Sequence, residues 1–202
     1  PFHIFPNKRK VLIYMKGKRL SGFSAIMFII AAGLIFVSIF FPWWRMDFFA
    51  PQYPEGLEIV VYPDRLEGDI DNINNLNHYI GMKEFGQEDF PEFKFLPYLI
   101  GGLAFLILLG AIIRKRGYLY SLLGIFIVGG IAGVWDLIYS LGKYSKNLDP
   151  MAPIEMEPFT IPIIGENVIA NFTTYSYLGT GVYLALAAFI LLLIPLWKDR
   201  KK

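Results

Sequence analysis

Residues 21–44, "SGFSAIMFIIAAGLIFVSIFFPWW", run for 24 positions without a charge. A helix of that length, rising 1.5 Å per residue, covers the roughly 30 Å of a bilayer's hydrocarbon core. Three more apolar runs follow at 95–113, 117–142 and 175–197, and Asp136 is the single charged residue inside them. With 55% of 202 residues hydrophobic, too little polar chain is left to cover four such runs in water. The expected fold is an all-α integral membrane protein: a four-transmembrane-helix bundle with a small mixed α/β extracytoplasmic cap formed by two loops. The first run is longer than a signal peptide's apolar core and lacks an A-x-A-like cleavage site, so it reads as a retained anchor. Because the chain starts at Pro1, a few residues including the initiator Met are expected to precede this numbering.

Charge orients the spans. Segment 1–20, the turn 114–116 ("RKR") and the tail 198–202 ("KDRKK") hold 13 of the 19 Lys and Arg and one of the 17 acids. The positive-inside rule places all three in the cytoplasm. Connector 45–94 has 11 acids against four bases and connector 143–174 four against two, so both are expected outside the cell inner membrane. Trp43, Trp44, Trp135, Tyr139, Tyr175 and Tyr177 fall at the outer boundary and Tyr118, Tyr120 and Trp197 at the inner one, as interfacial aromatic belts do. Gly129 and Gly133, and Gly181, Ala185 and Ala188, are spaced for close helix packing in lipid. The basic ends match anionic lipid, and no nucleic-acid partner is expected.

In the first connector, "GLEIVVY" (56–62) reads as a strand between Pro-marked turns. Beyond it, Ile70, Ile73, Leu76 or Asn77, and Ile80 recur at helical spacing, with Asp69 as N-cap and Gly81 as stop. The opposite stripe gathers Asp71, Asn74, Asn75, His78 and, if the turn continues, Met82. In the second connector, "IPIIGENVIANF" reads as two short strands around "GEN", and the sequon at Asn171 is read as chance.

The chain has no cysteine, which excludes disulfides, thiolate metal sites and cysteine nucleophiles. No Walker loop, G-x-S-x-G elbow, H-E-x-x-H or haem-binding His pair occurs, so no enzymatic constellation is evident. Two readings of His78 remain. Imidazole and thioether favour Cu(I), and His78 with Met82, helped by Met46, Met151 or Met156 from the outer loops, offers that donor set. Alternatively the imidazole fastens a loop to backbone carbonyls while methionine fills gaps. At the outer boundary, Arg45 and Asp136 are expected to pair and lock two helices together.

"GDIDNINNLNHYIGM" and "APIEMEPFTIPIIGENVIANFTTYSY" together resemble a group of bacterial four-span membrane proteins, whose outer loops carry similar L-N-H-Y-I-G-M and I-G-x-x-x-x-x-N-F-T segments. That group is similar to proteins accompanying copper delivery and nitrous-oxide reductase maturation. The resemblance implies a copper-handling role and makes Asn77, His78 and Met82 the functional positions. The expected function is a non-enzymatic accessory membrane protein whose cap binds or hands over Cu(I) to a partner complex. The alternative is a structural subunit bracing a larger respiratory or transport assembly.

Overall fold

The computed structural model describes residues 19–154, 157–169 and 171–199. Its elements are α1 (Gly22–Ser38), β1 (Trp44–Ala50), β2 (Tyr53–Val61), β3 (Leu66–Gly68), α2 (Ile70–Tyr79), α3 (Leu96–Ile113), α4 (Arg116–Lys146), β4 (Gly165–Ile169), β5 (Phe172–Leu178) and α5 (Thr180–Lys198). Two short 3-10 turns, Gln87–Asp89 and Pro91–Lys94, precede α3. This is not the all-α four-helix membrane bundle that the apolar runs lead one to expect. Five α-helices share the described residues with a five-stranded antiparallel sheet of order β3-β2-β1-β5-β4. Three helices, α3, α4 and α5, are long and apolar enough to cross a membrane, whereas α1 is shorter at 17 residues.

The local reason for the difference lies at the edges of the apolar runs. Pro42 lacks an N–H and its ring would clash with the carbonyl four residues back, so α1 stops short of it. The aromatic stretch from Trp44 then extends as β1, pairing with β2 on one side and β5 on the other. Likewise Tyr175 and Tyr177 belong to β5, and α5 starts only at Thr180. β4 and β5 pair out to Ile169 opposite Phe172, so Gly165–Asn167 lie inside β4 and do not form the turn between the strands.

Strand alternation puts Trp44, Met46, Phe48 and Ala50 of β1 on one buried face. Leu57 and Ile59 of β2 join them, and Ile73, Leu76 and Ile80 from α2 and its following turn cover them, with Leu141 and Tyr144 from the end of α4. At roughly 1.5–3 kcal/mol per fully buried aliphatic or aromatic side chain, this layer is the main stabilisation of the cap. A second cluster joins Phe28, Ala31 and Ile35 of α1 to Ala104 and Ile107 of α3 and Ala188 and Leu192 of α5. A Cβ on Gly110 would stand 2.6 Å from the Phe28 ring, so α1 and α3 approach as closely as glycine allows.

All connectors of the sheet leave from one end of the helices. There the Gly179 N–H donates to the Trp43 carbonyl (2.9 Å) and the Gly181 N–H to that of Pro42 (2.8 Å), tying the start of α5 to the exit of α1. At the opposite end, Asp199 Oδ2 accepts from the Ser21 N–H (2.9 Å) and the Ser24 hydroxyl (2.6 Å), while Arg116 donates to the Asp199 carbonyl. α4 links the two ends. Its 31 residues span about 46 Å, well beyond a hydrocarbon core, and its last turns enter the cap.

Candidate functional site

The segment "LNHYIGM" closes α2 and turns inward. Leu76 and Asn77 are buried, whereas His78 and Tyr79 face solvent. Gly81 then takes a left-handed conformation (φ +73°), which reverses the chain and drives Met82 into the core. The Asn77 carbonyl accepts from the N–H groups of both Ile80 (3.2 Å) and Met82 (3.0 Å), and so closes the turn.

Backbone and Asn74, rather than an imidazole, fasten this loop. The Asp149 N–H donates to the Gly81 carbonyl (2.8 Å) and the Ile154 N–H to that of Tyr79 (3.0 Å), stitching the two connectors together. Asn74 donates to the Phe85 carbonyl (3.0 Å) and accepts from the Phe85 N–H (2.7 Å). The His78 carbonyl accepts from the Gly81 N–H (3.4 Å), but its imidazole makes no hydrogen bond among the described residues; the ring sits 6.4 Å from that of Tyr79. Asn74 lay on the polar stripe read from the sequence, but its partner eleven residues away carries no local signal.

The sulfur donors divide between two spaces. His78, Met82 and Met151 line an open groove of about 750 Å³, together with Lys83, Lys146 and Asp149. Met46, Met82 and Asn77 instead line a closed cavity of about 10 Å³ among Phe48, Ile80, Phe172 and Thr174, room for about one water. Met46 is 1% exposed because it lies on the inner face of β1, two residues from Trp44. The Asn77 side-chain amide is buried there with its Nδ2 unpartnered. Met156 lies outside the described residues. No cluster of three or more His, Cys, Asp or Glu side chains placed to hold a metal occurs among the described residues. Lys83, paired with Asp89, and Lys146 add positive charge to the groove wall.

Arg45 pairs with Glu58 (2.5 Å) and not with Asp136. Once Trp44–Ala50 is a strand, Arg45 points away from the core and meets the adjacent strand, where Asp47 is opposite Glu58 and Arg45 opposite Val60. Its guanidinium also lies 5.8 Å from the Tyr177 ring, and the Tyr177 hydroxyl donates to Asp47 (2.6 Å). Burial first, then the bond to Asp47, push that phenol up to about 12. Asp136 instead neighbours Glu92: burial, and then the Asp136 carboxylate, raise the Glu92 carboxyl above its ordinary range.

No family model matches the chain, and no curated protein matches it.

Proposed function

We propose that the chain is a non-enzymatic accessory protein of the cell inner membrane that braces a larger membrane assembly. The basic end of the helices faces the cytoplasm and the sheet end faces outward, in line with the excess of Lys and Arg at 1–20, 114–116 and 198–202. The observation that carries the reading is α4. Its first turns are packed by Leu119 and Leu122 and its last by Leu141 and Tyr144, yet from Gly124 to Tyr139 nearly every side chain is exposed. A helix fixed at both ends and bare between them, joined rigidly to an outer sheet, is suited to hold a neighbour in register on both sides of the membrane boundary. Extraction from native membranes in mild detergent, followed by native electrophoresis, tests this. The chain is expected to migrate with a second membrane protein; migration as a lone monomer contradicts bracing.

A second reading has one observation in its favour, the shared groove of His78, Met82 and Met151. An imidazole and two thioethers suit Cu(I), and the likeness of "LNHYIGM" to copper-associated membrane proteins points the same way. Competition against a Cu(I) chelator tests it with the wild type, His78→Ala and Met151→Leu. Equal, near-zero copper in all three removes it.

A further inference from the structure

α2 and its following turn present Ile73, Asn77 and Ile80 to the cap core, at helical spacing and all buried. Two of the three are aliphatic, and the amide between them breaks the pattern. Asn77 is 2% exposed, and its Nδ2 has no hydrogen-bond partner among the described residues. An amide donor buried in that state gives up its hydration and gains nothing in return. The space that it lines shows what can answer it.

That space is the closed cavity of about 10 Å³, which is about one water sphere in size. Besides Asn77, the polar side chain in its wall is Thr174 of β5, itself 1% exposed. The Thr174 hydroxyl donates to the Asn167 carbonyl (3.3 Å), so its hydrogen is engaged while its oxygen can still accept. Met46 and Met82 supply thioether sulfurs, which are weak acceptors, and the rest of the wall is apolar. A wholly apolar hole of this size stays dry, whereas this one sets a donor beside acceptors. The amide hydrogens of Nδ2 repel a cation, so a metal ion does not suit the space.

We infer that this cavity binds one water, which accepts from Asn77 Nδ2, donates to Thr174 Oγ1 and turns its second hydrogen toward the thioethers of Met46 and Met82. Three partners are the usual complement of a buried water. Immobilising one water costs less than leaving a buried amide unanswered, so the site fills. The bridge ties α2 to the sheet through β5. Met82 lines the open groove as well as the cavity, so its side chain is the door through which the water exchanges with solvent.

Met46 is a built-in reporter, because it is 1% exposed and lines the cavity. Pulsed X-ray radiolysis of the full chain in nanodiscs turns bound water into hydroxyl radical, which oxidises a thioether beside it, and peptide mass spectrometry reads the sulfoxide. After a jump into heavy-oxygen water, Met46 is expected to be oxidised and to take up the isotope roughly tenfold more slowly than Met151, which is 89% exposed. The Met46 yield is expected to fall about fivefold in Asn77→Leu, which removes the donor and fills the space, and in Thr174→Val, which keeps the shape and removes the acceptor. Stability does not report the water, since leucine exchanges a bridged amide for apolar contact. Met46 left unoxidised, isotope uptake as fast as at Met151, or a yield indifferent to both substitutions overturns the inference. Where a variant loses cap protection from protease, the yield and the isotope delay at Met46 in the native chain decide alone.

Discussion

Substituting Gly81 by alanine tests whether the "LNHYIGM" segment is held by backbone geometry or by its histidine. At φ +73° a residue with a Cβ incurs about 1–2 kcal/mol of strain. The new Cβ also meets the Asp149 carbonyl oxygen at 2.7 Å and the Asp149 nitrogen at 2.9 Å, and these belong to backbone that is itself bonded to Gly81. Shifting that stitch costs about one net hydrogen bond, about 0.5–1.5 kcal/mol, so the total is about 1.5–3.5 kcal/mol. A tenfold change in equilibrium corresponds to about 1.4 kcal/mol, so opening of the cap is expected to increase roughly 10- to 300-fold. The exposed His78, its imidazole unbonded, is expected to tolerate alanine within about 0.5 kcal/mol. The assay is native-state proteolysis of the protein in nanodiscs, with cleavage between residues 83 and 95 as the readout of cap opening. If His78→Ala opens the cap as much as Gly81→Ala, or if Gly81→Ala leaves it closed, the account of the fastening is wrong.

Other consequences are as specific. Met46→Ala, at a site 1% exposed, is expected to destabilise the cap by about 2–5 kcal/mol, read from denaturant titration of the buried Trp44 fluorescence. Asn77→Leu removes a buried amide whose Nδ2 has no partner and is expected to be neutral or stabilising; a loss above about 2 kcal/mol would show that the amide is bonded after all. The raised Glu92 carboxyl means that the folded chain keeps a proton the unfolded chain releases. Its contribution is therefore fully present below the ordinary carboxylate pKa and is lost as pH climbs through the raised value, so Glu92→Gln should flatten the acid-side dependence of thermal stability. Asp199→Ala removes a carboxylate that accepts from the Ser21 N–H and the Ser24 hydroxyl, and a melting shift equivalent to about 1.5–3 kcal/mol is expected.

Three of the apolar runs were legible as helices long and apolar enough to cross a membrane, because length and the absence of charge mark such a segment, and α3 occupies its run almost to the residue. Of the sheet, β2 was readable from "GLEIVVY", but β1 was not, and Trp44–Ala50 shows why. A string of aromatics next to a charge-free run has no period that separates the end of a helix from the start of a strand. Once that stretch is a strand, parity decides the rest: Met46 shares a face with Trp44 and Phe48 and is core, while Arg45 points the other way and meets Glu58. α2 was readable from Ile70, Ile73, Leu76 and Ile80, because one amphipathic turn after another repeats the signal. The direction of Met82 was not, since a single left-handed residue at Gly81 turns it into the core, where it lines the small cavity with Met46 as well as the groove that His78 lines. Asp69 shows a subtler miss: its carboxylate accepts from the Glu58 N–H of β2 (3.1 Å) instead of capping α2, a long-range choice that local capping rules do not see.

Labelling with a membrane-impermeant thiol reagent bears most directly on all of this, since the native chain contributes no background. One cysteine is introduced at position 78 and, separately, one at 202, in sealed cells and in inverted vesicles. Reaction of residue 78 only from outside and of residue 202 only from inside is the predicted pattern. Both positions reacting from the same side would contradict it, and the outward cap and the brace would fall together.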